Sequence, residues 1–81
     1  MKQPEPVICA VARTPIGKFL GGLSSMSAVD LGIVAVKAVI ERSGVDVGMV
    51  DEVLFGQVLQ AGAGQAPARQ VALGAGLPDS I

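Results

Sequence analysis

The chain has 81 residues, enough for one small domain, with 51% hydrophobic residues, 16% charged residues and a formal net charge of -1. That balance excludes intrinsic disorder and leaves no electrostatic footprint for nucleic acid or an anionic membrane, and the two aromatic residues, Phe19 and Phe55, do not make a base-stacking platform. With no His and a single Cys, Cys9, the sequence holds no ligand set for a metal such as zinc, no internal disulfide and no Ser-His or Cys-His catalytic pair.

Val7 to Ala12 is a short continuous apolar run between Pro6 and the turn-prone Thr14-Pro15-Ile16-Gly17. Such a run predicts a strand covered on both faces, as in a parallel sheet, with Cys9 buried in it and its thiol unactivated. Arg13 to Ser25 follows as a Gly- and Ser-rich loop, long enough to suggest a function or an interface. Ser27 stands three residues before Asp30, the spacing of a capping box, and Gly44 supplies a left-handed terminator, so a helix is predicted from Ala28 to Arg42. At 100° per residue its Asp30, Lys37 and Glu41 share a polar stripe roughly 40° wide, and apolar residues cover nearly all the rest. Packing on one sheet needs an apolar stripe of only about 100°, so this helix is expected to touch several neighbours.

A short turn from Val45 to Val50 leads through Asp51-Glu52 to a second apolar run, Val53 to Leu59, predicted as another buried strand. Gly62-Ala63-Gly64 forms the next loop. Pro67 suits a helix's first turn, and a second helix is expected from about Pro67 to Ala75, stopped by Gly76 and Pro78. The order strand, helix, strand, helix builds a right-handed βαβ unit of an α/β fold, and two strands do not complete an independent domain of that class.

The mean hydropathy of +0.60 is high for so short a chain, because a domain of this size buries only about 60–65% of its unfolded surface. No segment approaches the ~18 consecutive apolar residues of a membrane span. The surplus is expected to be covered by other parts of a larger protein or by partner subunits.

Each apparent motif has a plain alternative. Gly62-Ala63-Gly64-Gln65-Ala66-Pro67 follows a predicted strand and opens a helix, as a dinucleotide fingerprint does, but Pro67 stands at the third small position. A simple strand-to-helix turn is the better reading. Gly17-Lys18 resembles part of a P-loop, but Phe19 stands where Ser or Thr must hold magnesium, and the leading Gly is Ala12. Asp30 is explained as a helix-start carboxylate favoured by the dipole. Arg13 closes a strand, and Arg69 lies near a helix start where the dipole disfavours it. Structural pairing is the plain reading for both, with a carboxylate or carbonyl partner expected for Arg69.

Several blocks together resemble one family. Val11-Ala12-Arg13-Thr14-Pro15-Ile16-Gly17-Lys18-Phe19 is similar to the N-terminal signature of thiolases, the acetyl-CoA C-acetyltransferases. Ser27-Ala28-Val29-Asp30-Leu31-Gly32 and Val50-Asp51-Glu52-Val53 fit the same pattern in order. The most specific resemblance is Val58-Leu59-Gln60-Ala61-Gly62-Ala63-Gly64-Gln65-Ala66-Pro67-Ala68-Arg69-Gln70, where the family commonly has Asn in place of Ala66.

The resemblance spans essentially all of residues 1–81 and implies the first βαβα portion of the N-terminal half of a layered α-β-α-β-α fold, incomplete in this chain. It also implies an acyltransferase that carries out reversible Claisen condensation and thiolysis of acyl-CoA through an acyl-Cys intermediate. The family's nucleophilic Cys, in a Cys-Gly-Ser-Gly type segment, is expected a short way past Ile81. None of the family's catalytic or coenzyme A-binding residues maps onto this chain, so the 81 residues alone are expected to be inactive. Coenzyme A thioesters are substrates of the family, and no cofactor or metal is implied.

By the same resemblance, Gly62 to Arg69 runs close to the dimer interface and the active-site edge, where Gln65, Pro67 and Arg69 would help hold the neighbouring catalytic loop. The implied partners are the remainder of a thiolase chain and a second subunit, in a dimer or tetramer. Neither nucleic acid nor membrane is expected. The unpaired Cys and the lack of a targeting signal suit the cytoplasm. The alternative is a non-catalytic truncated or split-gene product that binds a partner through its apolar surface.

Overall fold

The computed structural model describes residues 5–17, 21–23, 25–57 and 62–81. Among these residues are two α-helices, α1, Ala28–Ser43, and α2, Pro67–Gly74, with a 3-10 turn at Val47–Met49 between them.

Helix α1 begins and ends by local chemistry. The Ser27 hydroxyl accepts from the Asp30 amide at 3.0 Å, and the Asp30 carboxylate accepts from the Ser27 amide at 3.0 Å, closing the capping box. Gly44 adopts φ 67°, and its amide donates to the Ile40 carbonyl at 3.2 Å. Asp30, Val34, Lys37 and Glu41 form the exposed stripe, so the polar stripe predicted from the sequence faces solvent. Most of the remaining surface of α1 is half-buried, and none of its residues is fully buried.

Pro67 is the first residue of α2, and the helix ends in a Schellman arrangement. The Leu77 amide donates to Ala72 at 3.0 Å and the Gly76 amide to Leu73 at 3.2 Å, with Gly76 at φ 90°. This closure folds Leu77 back onto the helix. Among the described residues, Val71, Ala72, Ala75 and Leu77 are the buried apolar ones.

The helices pack directly on each other, and glycine permits the close approach from both sides. A Cβ on Gly32 of α1 would lie 2.8 Å from Val71 Cγ2 of α2. Reciprocally, a Cβ on Gly74 of α2 would run into Cδ1 and Cγ1 of Ile33 on α1.

The two strands expected at Val7 to Ala12 and Val53 to Leu59 are not formed among the described residues, and Val58 and Leu59 lie outside them. A helix closes its hydrogen bonds within one segment, whereas a strand needs an aligned neighbour. Val7, Ile8, Val11 and Leu54 are 72–85% exposed, and Cys9 is exposed rather than buried as the sequence suggested. The first segment is tied down by a side chain, Arg42 Nη1 donating to the Val11 carbonyl at 3.0 Å. The accessible surface of 6700 Å² exceeds the roughly 4,500 Å² of a compact protein of this mass. The radius of gyration, 14.5 Å, likewise exceeds the roughly 12 Å expected for a compact chain of this length.

Candidate functional site

The loop from Gly62 to Ala66 is built from left-handed residues at alternate positions, Gly62 at φ 76°, Gly64 at φ 80° and Ala66 at φ 46°. Glycine adopts this region freely, while a Cβ makes it unfavourable at Ala66. The αL conformation favours Asn among residues that carry a Cβ, so Asn at position 66 would relieve this strain.

Gln70, on the first turn of α2, closes this loop. Its Nε2 donates to the carbonyls of Ala63 at 2.9 Å and Gln65 at 2.8 Å, using both amide protons. The backbone approaches so closely that a Cβ on Gly64 would lie 2.9 Å from that nitrogen. Gly64 is therefore favoured by its φ, and a side chain there would push the Gln70 amide off its two carbonyls. The role of Gln70 was not read from the sequence. The available signal was an amide side chain in the first turn of a helix, just after a glycine-rich loop whose carbonyls lack secondary-structure partners.

Arg69 secures the chain on the other side of α2. Nη1 donates to the Ile81 carbonyl at 2.7 Å and Nη2 to the Asp79 carbonyl at 2.8 Å, so its partners are carbonyls, one of the two kinds expected. It lines a cleft of about 320 Å³ with Asp51, Glu52 and Ala66. Pro67 lines a different cleft, of about 130 Å³, with Phe55, Gln57 and Val71. Gln65 is exposed at the loop tip and lines neither. The three residues singled out from the sequence are thus close along the chain but address three different surroundings.

Arg13 is exposed and, with Val11, Ala12 and Arg42, lines a shallow surface cleft. Cys9 lies beside the C-terminal half of α1, in a groove lined by Val39 and Ile40. Lys18 and Phe19 of the P-loop comparison lie outside the described residues. Among the described residues no group of three or more His, Cys, Asp or Glu side chains is placed to hold a metal ion. Among the described residues no helix is long and apolar enough to cross a membrane. The arrangement around α2 offers amide, guanidinium and carbonyl groups, which bind and position; Cys9 lines neither of the two clefts beside it.

A family model for the thiolase N-terminal domain matches residues 6–81. The cytosolic acetyl-CoA acetyltransferase of Gibberella zeae is 60% identical over 78 residues, which cover 96% of this chain and 20% of that protein. The probable acetyl-CoA acetyltransferase of Escherichia coli is 60% identical over 77 residues, 95% of this chain and 20% of the relative. Among solved structures, the acetyl-CoA acetyltransferase of Syntrophomonas wolfei superposes with a TM-score of 0.85 at 50% identity, covering 89% of this chain and 18% of that one. The Acat5 thiolase of Ascaris suum, solved with coenzyme A, gives 0.87 at 45% identity over 90% and 19%. The chain spans about a fifth of the length of the relatives it matches, and acyltransferases are what those relatives are named as. On the family match across residues 6–81 and the shared thiolase-like fold, the chain belongs to the thiolase family.

Proposed function

We propose that these residues are the N-terminal part of the N-terminal domain of an acetyl-CoA acetyltransferase, ending before the catalytic Cys segment. The complete protein would carry out reversible Claisen condensation and thiolysis of acyl-CoA through an acyl-Cys intermediate. Residues 1–81 alone would be inactive, because no His is present and Cys9 has no base beside it.

The uncovered apolar surface carries this reading. Val7, Ile8, Val11, Leu54 and Phe55 lie on the two segments predicted as strands, and all are exposed. With neighbouring strands supplied by the rest of the protein, these segments would complete the βαβα portion of the layered fold. The match to complete thiolases over 89–90% of the chain supports that placement.

Gln65, Pro67 and Arg69 would stand at the active-site edge and subunit interface, in a dimer or tetramer. The exposed side chain of Gln65 and the grip of Arg69 on Asp79, toward the expected nucleophile segment, support that assignment. A cytoplasmic location fits the Gibberella zeae relative, which is named cytosolic, while two Xenopus laevis relatives are named mitochondrial.

The test is an acetoacetyl-CoA thiolysis assay. The 81-residue chain is expected to give no turnover, and a complete acetyltransferase carrying these residues in their matched place is expected to turn over. In the complete protein, Gln65→Ala or Arg69→Ala should lower turnover or weaken dimerisation. Activity of the isolated chain would overturn the functional reading, and unchanged values for both variants would overturn the edge assignment.

A further inference from the structure

We propose that Gln70 is a positioning residue that sets the direction in which the Gln65 side chain leaves its loop. The proposal rests on the reading of Gln65 as an active-site-edge residue and extends it to a residue that lines neither cleft beside α2.

One amide nitrogen gathers two carbonyls, those of Ala63 and Gln65, which flank Gly64. With both carbonyls held and left-handed turns at Gly62, Gly64 and Ala66, the Ala63–Gly64 and Gln65–Ala66 peptide planes are fixed, one just before Gly64 and one just after the Gln65 Cα. The Gln65 carbonyl belongs to the same residue whose side chain is exposed, so holding the carbonyl constrains the Cα–Cβ vector of that residue. Gln70 is itself half-buried on α2 and inherits the rigidity of the helix. A glycine-rich loop would otherwise sample many conformations, and a group that must meet another loop would reach it in only a fraction of them.

The experiment is a double-mutant cycle in a complete acetyltransferase carrying these residues, with kcat and KM measured for Gln65→Ala, Gln70→Met and the double variant. Hydrogen exchange across residues 62–66 is followed in the same proteins. Gln70→Met removes both donors, and exchange in the loop is expected to quicken by roughly tenfold, with a comparable fall in kcat/KM. In the Gln65→Ala background Gln70→Met should cause no further loss, because the group it positions is already gone.

Gln70→Glu keeps the shape of the side chain and, once ionised, loses both donors, so it should reproduce the effect without emptying the site. Full additivity in the double variant, or unchanged loop exchange with Gln70→Met, overturns the proposal. If Gln65→Ala leaves kcat/KM and dimerisation unchanged while Gln70→Met still quickens exchange, the edge reading fails and takes the catalytic half of this proposal with it, leaving Gln70 as the tie of the loop alone.

Discussion

Replacing Gly32 with Ala tests whether the helix pair is held by close approach or by helix propensity. In an exposed helix the change would stabilise by about 1 kcal/mol. Here the new Cβ would lie 2.8 Å from Val71 Cγ2 and 3.4 Å from Cγ1, against an ordinary carbon–carbon separation of about 3.5–4.0 Å. Val71 is 3% exposed, and a valine in a helix is nearly confined to one χ1 rotamer, so it cannot swing aside. The helices must separate, at an overpacking cost of about 1–3 kcal/mol. The net expectation is destabilisation by about 1–2 kcal/mol once the propensity gain is offset.

Urea titration of a complete acetyltransferase carrying these residues, with hydrogen exchange followed in α1 and α2, reads this well. Val71→Ala alone should also destabilise. The Gly32→Ala/Val71→Ala pair should lose less than the sum of the singles by about 1 kcal/mol, because the second change removes the methyl groups the first collides with. A rise in the Gly32→Ala midpoint, or strict additivity in the pair, would refute this packing account.

Other changes probe the turns. Ala66→Gly and Ala66→Asn should each raise the unfolding midpoint, by about 1 kcal/mol for Gly, since φ 46° strains a residue with a Cβ; a lowered midpoint for both would count against it. Gly76→Ala should cost about 1–2 kcal/mol through its φ of 90° alone, because no atom lies within 4 Å of the added Cβ. Ser27→Ala removes the cap of α1 and should cost about 1 kcal/mol, seen as reduced helix signal on mild heating. An undiminished signal would mean that packing, not the cap, sets the start of α1.

The helix boundaries were legible because their causes are local. Ser27 with Asp30, Gly44, Pro67 and Gly76 each act on residues three to five positions away, and the structure places each in the role its spacing implied. The strands were not recoverable in the same way, because a short continuous apolar run states only what a segment could do beside a partner. Cys9 follows the same logic, its expected burial depending on a cover outside its own segment. Composition did register the shortfall, through more apolar surface than the chain encloses. At the site, the sequence drew attention to Gln65, Pro67 and Arg69 but not to Gln70, whose two bonds depend on the path of the loop. Nor did it show that Gly32 and Gly74 interlock, since their proximity is tertiary. Asp46, whose carboxylate accepts from the Gly48 amide and caps the 3-10 turn, lies inside the turn expected from Val45 to Val50.

Helices closed by their own end residues beside strand segments without partners have a consequence during synthesis. The 78 matched residues are 20% of the Gibberella zeae relative, giving it about 390 residues. At about 5–20 residues per second, a ribosome needs roughly 15–60 s to make the remaining ~310 of such a chain. Helix formation takes about a microsecond, so α1 and α2 would be in place throughout that interval. Ile8, Val11 and Leu54 would meanwhile wait uncovered for strands not yet translated. In a nascent thiolase built this way, these uncovered side chains would give a holding chaperone a place to bind, and slowing translation downstream would lengthen their exposure without changing the finished protein.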